Sequence, residues 1–216
     1  SFTGGNNSLG ANALTFTNTG TLTLGDDGSD QFNLAGLTAT APSAVKLGGK
    51  LYARTGAVTL GDSDTAITLT GDALIRTNAQ AISLGNTVDA TTAGGQSLTL
   101  QSGSGTITLA SAIGSQKALN NLLIGEGSVA EQTGAITGNG DLTLAGRLSL
   151  AGPTMLNGSR LLTADEIDFF GRQGRIAGTD NAANTLTLQT YTAGRAIKLG
   201  AAGSDRNPDA NALDLT

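Results

Sequence analysis

The 216-residue chain reads as an all-β protein, a β-solenoid wound from short strands. Three observations predict this. A short theme recurs along the chain, alternating apolar and polar residues over about five positions and breaking at glycine or a small polar residue, which is the signature of a half-buried strand. It stands as Gly20-Thr-Leu-Thr-Leu-Gly25, Gly56-Ala-Val-Thr-Leu-Gly61, Ala81-Ile-Ser-Leu-Gly85 and Ala196-Ile-Lys-Leu-Gly200. The copies also keep a longer beat: Leu24 to Leu47 is 23 residues, Leu47 to Leu69 is 22, Leu60 to Leu84 is 24 and Leu84 to Leu109 is 25. One coil of two or three short strands needs about that many residues. Finally, composition argues for a thin core. Hydrophobic residues make up 38% and aromatics 3%, with 32 glycines and 3 prolines, so a column of Leu, Ile, Val and Ala with glycine at the corners fits better than a thick sandwich.

Taken in order, residues 1–19 are rich in Gly, Asn and Thr, with a strand near Leu14–Thr17. Residues 20–48 supply the inward pairs Leu22/Leu24, Phe32/Leu34 and Val45/Leu47, and residues 51–90 supply Val58/Leu60, Ile67/Leu69 and Ile82/Leu84. Residues 97–150 supply Leu98/Leu100, Ile107/Leu109, Leu122/Ile124, Leu142/Leu144 and Leu148/Leu150. Residues 160–215 supply Ile167/Phe169, Leu186/Leu188, Ile197/Leu199 and Leu213/Leu215. Gln116–Ile124 and Leu161–Asp168 have helical alternatives; the second reads better as a strand, with Ile167 and Phe169 inward and Glu166 and Asp168 outward. No amphipathic helix suits either end as a cap. The expectation is a single domain over 1–216 of about nine coils, a rod on the order of 45 Å at a strand spacing near 4.8 Å. Leu24–Asp30 is echoed by Leu199–Asp205, and Leu98-Thr-Leu-Gln101 by Leu186-Thr-Leu-Gln189, as duplicated modules would be.

Charge and residue types exclude several chemistries. The net charge of −5, with basic residues scattered, gives no footprint for nucleic acid. There is no cysteine and no histidine, which removes disulfides, thiolate metal sites and the commonest general base. No apolar run reaches the roughly 18 residues of a membrane helix. No phosphate loop, nucleophile elbow or cofactor motif is present.

At Ala57-Val-Thr-Leu-Gly61, Gln96-Ser-Leu-Thr-Leu100, Gly105-Thr-Ile-Thr-Leu109 and Gly140-Asp-Leu-Thr-Leu144 the chain resembles the repeat region of filamentous-haemagglutinin-like large bacterial exoproteins. The tail is similar to them too, at Leu161–Asp168, Asn184–Gln189, Ala193–Gly200 and Ala212–Thr216. The resemblance covers most of the chain after residue 20. It implies a right-handed parallel β-helix, type V secretion, display at the surface of a Gram-negative bacterium, and adhesive or scaffold roles. The family's N-terminal secretion motifs are not found, and the chain starts at Ser1. A shaft segment of a longer rod, or a subunit stacking end to end on copies of itself, is therefore expected.

Four groups of side chains are candidates for chemistry. Asp26, Asp27 and Asp30, with Asp62 and Asp64 in the equivalent place after the next Thr-Leu-Gly, would offer calcium its carboxylates. A solvated polar turn is the preferred reading, so no metal or cofactor is assigned. Asp165, Glu166 and Asp168 raise a carboxylate pair for polysaccharide hydrolysis, against a charged outer face. The pairs Thr15/Thr17, Thr21/Thr23, Thr68/Thr70, Thr106/Thr108 and Thr185/Thr187 raise an outward hydroxyl array that would order water, against ordinary outward strand residues. Phe170, beside an inward Phe169, would anchor a partner or lie under a loop, and Arg172 and Arg175 would meet a ligand carboxylate or solvent. The expected function is structural or adhesive and non-enzymatic, with host or matrix glycans or proteins as partners. The alternatives are a polysaccharide lyase or hydrolase, or a passive glycan-binding module, on the same fold.

Overall fold

The computed structural model describes residues 1–125, 132, 134–150, 152–168, 175–178, 184–199 and 212–215, the backbone alone for 175–178, 197–199 and 212–215. All described strand pairs are parallel, and no helix occurs among the described residues. The chain visits three faces in turn, so each strand pairs with the strand one coil later. That is a β-solenoid.

Face 1 runs Leu22–Leu24, the first half of Ala44–Ala53, the first half of Ala66–Thr77, and Val88–Ala90. It continues by single bridges through Ile113 to Leu142, then through Leu142–Thr143, Arg160–Thr163 and Leu186–Gln189. Face 2 runs Asn6–Ser8, Gln31–Leu34, the second halves of Ala44–Ala53 and Ala66–Thr77, Leu98–Gln101, Leu122–Ile124, Arg147–Leu150 and Glu166–Asp168. Face 3 is an eight-stranded sheet: Leu14–Thr15, Leu37–Ala39, Val58–Leu60, Ile82–Leu84, Ile107–Leu109, Ile136–Gly138, Pro153–Leu156 and Arg175–Gly178. Towards the carboxyl end the order departs from the sequence, because Ala212–Leu215 lies between Glu166–Asp168 and Ala196–Leu199.

The register matches the spacing read from the leucines: Leu24 faces Leu47, Leu47 faces Leu69, Leu60 faces Leu84, and Leu84 faces Leu109. Among the described residues, eight strands on face 3 enclose seven complete turns, against the nine coils expected for the chain. The difference arises because the face-3 sheet runs only from Leu14 to Gly178 among the described residues; its longest step, Ile107 to Ile136, is 29 residues and is offset by the next, Ile136 to Thr154, of 18. Seven turns at about 4.8 Å make a stack of about 34 Å.

Every inward residue of the expected pairs from Leu22 to Leu150 is buried, as is Ile167. The alternation dictates this: within each Leu-Thr-Leu the outer residues point into the tube and the middle one points out. Two expectations differ. Gln116–Ile124 is not helical; it bends, then enters the strand Leu122–Ile124. Leu186 is 45% exposed rather than inward, because no described residue of a following coil covers that strand on face 1. The expected inward positions Phe169, Ile197, Leu199, Leu213 and Leu215 lie outside the described side chains. The two Leu-Thr-Leu-Gln copies are both strands but occupy different faces, Leu98–Gln101 on face 2 and Leu186–Gln189 on face 1. Residues 200–205 of the other echo lie outside the described residues.

Glycine decides the corner between faces 1 and 2. Ala44–Ala53 turns it at Gly48 and Gly49, with a register shift there, and Ala66–Thr77 turns it at Gly71. Gly49 has φ 82°, and a Cβ there would stand 2.3 Å from the Asp30 carbonyl oxygen. At Gly71 it would stand 2.7 Å from the Gly28 nitrogen. The missing side chains let the turn 25–30 fold across the corner of the next two coils.

Candidate functional site

The acidic turn Asp26–Asp30 lies at this corner. Asp30 is buried, and its Oδ2 accepts the Asp26 N–H at 3.0 Å. The Asp27 carboxylate accepts the Ser29 N–H at 2.7 Å and its hydroxyl at 2.6 Å. Thr70, two coils on, donates its hydroxyl to the Gly25 carbonyl at 3.1 Å. The hydrogen bond with the Asp30 carboxyl holds Asp26 above the ordinary carboxylate range, helped by partial desolvation and the like charge of Asp30. Asp27 is held below it by the bonds from Ser29.

Asp62 and Asp64 do not join this turn. They follow a face-3 strand, at the corner leading to face 1, whereas Asp26–Asp30 lies between faces 1 and 2. The shared Thr-Leu-Gly placed them alike in sequence, but successive strands of a three-faced coil reach successive corners. Asp62 is lowered and Asp64 raised by the hydrogen bond between their side chains. No group of three Asp, Glu, His or Cys residues suited to a metal ion occurs among the described residues.

Four further aspartates, Asp72, Asp89, Asp141 and Asp165, tie one coil to the next. Asp72 Oδ1 accepts the Ser97 N–H at 2.8 Å, and Asp141 Oδ1 the Leu161 N–H at 2.9 Å. Asp89 Oδ1 accepts the N–H groups of Gln116 and Lys117 at 2.7 and 3.0 Å. Asp165, buried, accepts the N–H of Thr192 at 2.8 Å and its hydroxyl, and sits 3.5 Å from Arg195 Nε. Along the corner these bonds join into a ladder. Asn121 donates to Ser97 Oγ at 3.3 Å and accepts the Arg147 N–H at 2.7 Å, and the Arg147 guanidinium lies 3.7 Å from Asp168 Oδ2. Asp165 and Asp168 therefore engage different partners. Asp168 stands in the outward register expected, beside Ser149, yet is largely covered, with the Arg147 guanidinium beside it. Phe170 and Arg172 fall outside the described residues, and Arg175 is described by its backbone alone.

The threonine pairs do not form one array. Thr15/Thr17 and Thr106/Thr108 belong to face 3, and Thr21/Thr23, Thr68/Thr70 and Thr185/Thr187 to face 1. A different column does line up. Thr15, Thr38, Thr59, Ser83, Thr108 and Thr137 stand in consecutive register on face 3, uncharged, ending at Met155. Only the middle residue of each short strand contributes, so the signal lay in the register and not in the Thr-x-Thr spacing.

Face 2 carries a shallow groove that the sequence did not disclose. Its floor is the outward column Lys50, Leu74, Thr99 and Leu123, one residue per coil, and Asp72 and Ser97 line its rim; its volume is about 320 Å³. On the neighbouring column the Arg76 guanidinium lies 5.5 Å from the centre of the Tyr52 ring, and its Nε donates to Gln101 Oε1 at 2.6 Å. The column continues from Leu123 to Ser149, whose hydroxyl is buried without a hydrogen-bond partner among the described residues.

No protein-family model, curated protein or solved structure matches the chain.

Proposed function

We propose that the chain is an extracellular structural and adhesive β-solenoid, displayed at the surface of a Gram-negative bacterium as a shaft segment of a secreted adhesin or as a subunit stacking end to end. The observation that carries this reading is the use made of the carboxylates. Asp72, Asp89, Asp141 and Asp165 each accept a backbone N–H of the following coil, 20 to 28 residues on. A glycoside hydrolase of the usual kind needs two carboxyls flanking one bond. Here these acids serve as fasteners along the stack, and a stiff stack that carries its outer faces away from a membrane is a shaft. The mechanism is mechanical: parallel coils satisfy each other's backbone groups and bury an aliphatic column.

The test is adhesion under flow. Beads coated with the 216-residue chain are passed over surfaces bearing matrix glycans or matrix proteins. Retention well above that of beads coated with an inert protein is expected. Release of shortened oligosaccharides from the same glycans, with no retention, would favour the lyase or hydrolase alternative and discard the adhesive one.

A further inference from the structure

We infer that the strand Leu186–Gln189 is a self-association edge, at which a second copy of this chain adds its own Leu186–Gln189 as an antiparallel strand. The pairing does not depend on the adhesive reading.

The edge is open in its backbone. Leu186–Gln189 pairs with Arg160–Thr163 on one side and with no described strand on the other. The Arg160 N–H donates to the Thr185 carbonyl at 2.9 Å and the Ala164 N–H to the Gln189 carbonyl at 3.0 Å, so Thr185, Thr187 and Gln189 turn their ladder groups back to that coil. The N–H and C=O of Leu186 and Leu188, which alternate with them, point to the open side. The edge is also apolar. Met155, Leu186 and Tyr191 are the large apolar residues exposed among the described residues, and the last two stand here. Residues 184–194 contain no charged side chain and no proline, the residues that ordinarily keep an edge from pairing.

The chain that follows does not supply the missing strand. Ala212–Leu215 is paired on face 2, with Glu166–Asp168 and Ala196–Leu199. Residues 200–211 include Pro208 and hold no Leu, Ile, Val or aromatic residue to pack beside Leu186 and Leu188. A second copy fits by symmetry. A two-fold axis through Thr187 sets Leu186 opposite the partner's Leu188, and each such pair exchanges both of its ladder bonds. The leucine side chains of both copies then lie on one side of the enlarged sheet as cross-strand apolar neighbours. A two-fold contact brings each residue near its own copy, where a charge would meet its like, and this segment carries none to repel. Such a contact is closed and makes pairs, whereas head-to-tail stacking would make open filaments.

The experiment is sedimentation equilibrium of the full chain over about 5–500 μM, the range for a contact smaller than a standard interface. The weight-average mass is expected to rise from that of one chain towards that of two and to stop there. Over the same series, hydrogen exchange at Leu186 and Leu188 is expected to slow as concentration rises, while Val58–Leu60 is unchanged. Leu186→Lys places a charge on the edge and is expected to hold the chain single at every concentration, with its circular dichroism and thermal midpoint unchanged. Met155→Lys, which removes an equally exposed apolar residue from face 3, is expected to pair as the parent does. A parent that stays single at the top concentration, a mass that grows past two chains, pairing retained by Leu186→Lys, or pairing lost by Met155→Lys each overturns the inference. Exchange at Leu186 and Leu188 that ignores concentration does so too, without need of a variant.

Discussion

A methyl group at Gly49 would stand 2.3 Å from the Asp30 carbonyl oxygen, on a backbone whose φ of 82° already disfavours any side chain. Gly49→Ala is therefore expected to cost at least about 2 kcal/mol, read as a shift in the urea midpoint at constant slope. Ser149 argues the opposite way. Its buried hydroxyl has no partner among the described residues, so it bears a desolvation cost that no bond there offsets. Ser149→Ala should leave stability unchanged or raise it by about 1 kcal/mol in the same titration, and a clear loss would show that the hydroxyl is bonded. The acidic turn gives a pH signature. Asp26 is raised mainly by its hydrogen bond with Asp30, so the fold favours its protonated form. Its contribution is present below the ordinary carboxylate range and is lost as pH rises through the raised value. Asp26→Asn keeps an uncharged donor there at every pH. The thermal midpoint of the variant should exceed that of the parent at pH 7, and the two should converge at pH values below the carboxylate range. Asp27, lowered by Ser29, works in the other sense, its contribution being lost only as pH falls through its lowered value.

The strands themselves are too short to stand alone, several having only three residues, so what fixes them is the coil above and the coil below. Asn121 shows how the corner contributes. It bonds Ser97 on one coil and the Arg147 N–H on the next, and Asn121→Ala removes both bonds at once. The expected loss is about 1–3 kcal/mol by denaturant, and Asn121→Asp should recover part of it through the bond to the Arg147 N–H. The Leu-x-Leu strands were legible in the sequence because both inward positions are large and the outward one is polar. Leu51/Ala53, Ala73/Ile75 and Val88/Ala90 are as fully inward, yet alanine hides them, since its small side chain carries little periodic signal. The same limit explains the site. Lys50, Leu74, Thr99 and Leu123 meet because their coils align, and they are separated by 24, 25 and 24 residues with no common residue type. Asp26 and Asp62 look alike locally but reach different corners, because nothing in a Thr-Leu-Gly says which face it ends.

In the molecule as a whole, apart from the turn 25–30, which reaches two coils on, a coil contacts its neighbours, so stability is to first order a sum of coil terms and interface terms. A central coil has two interfaces and the first has one. Leu69 is fully buried between Leu47 and Val88–Ala90, whereas Leu14 is only partly buried and faces a single strand, Leu37–Ala39. Leu69→Ala should cost about 2–5 kcal/mol, and Leu14→Ala clearly less. The same asymmetry sets the local opening free energies. Backbone amides of Val58–Leu60, Ile82–Leu84 and Ile107–Leu109 need two interfaces broken before they exchange, so they should exchange most slowly. Those of Asn6–Ser8 and Leu14–Thr15 can open by fraying one coil and should exchange fastest. Hydrogen exchange followed by mass spectrometry on the intact chain measures this gradient directly. Uniform protection from Asn6 to Leu109 would mean that the stack opens as one cooperative unit, and the nearest-neighbour account of the shaft would then fail.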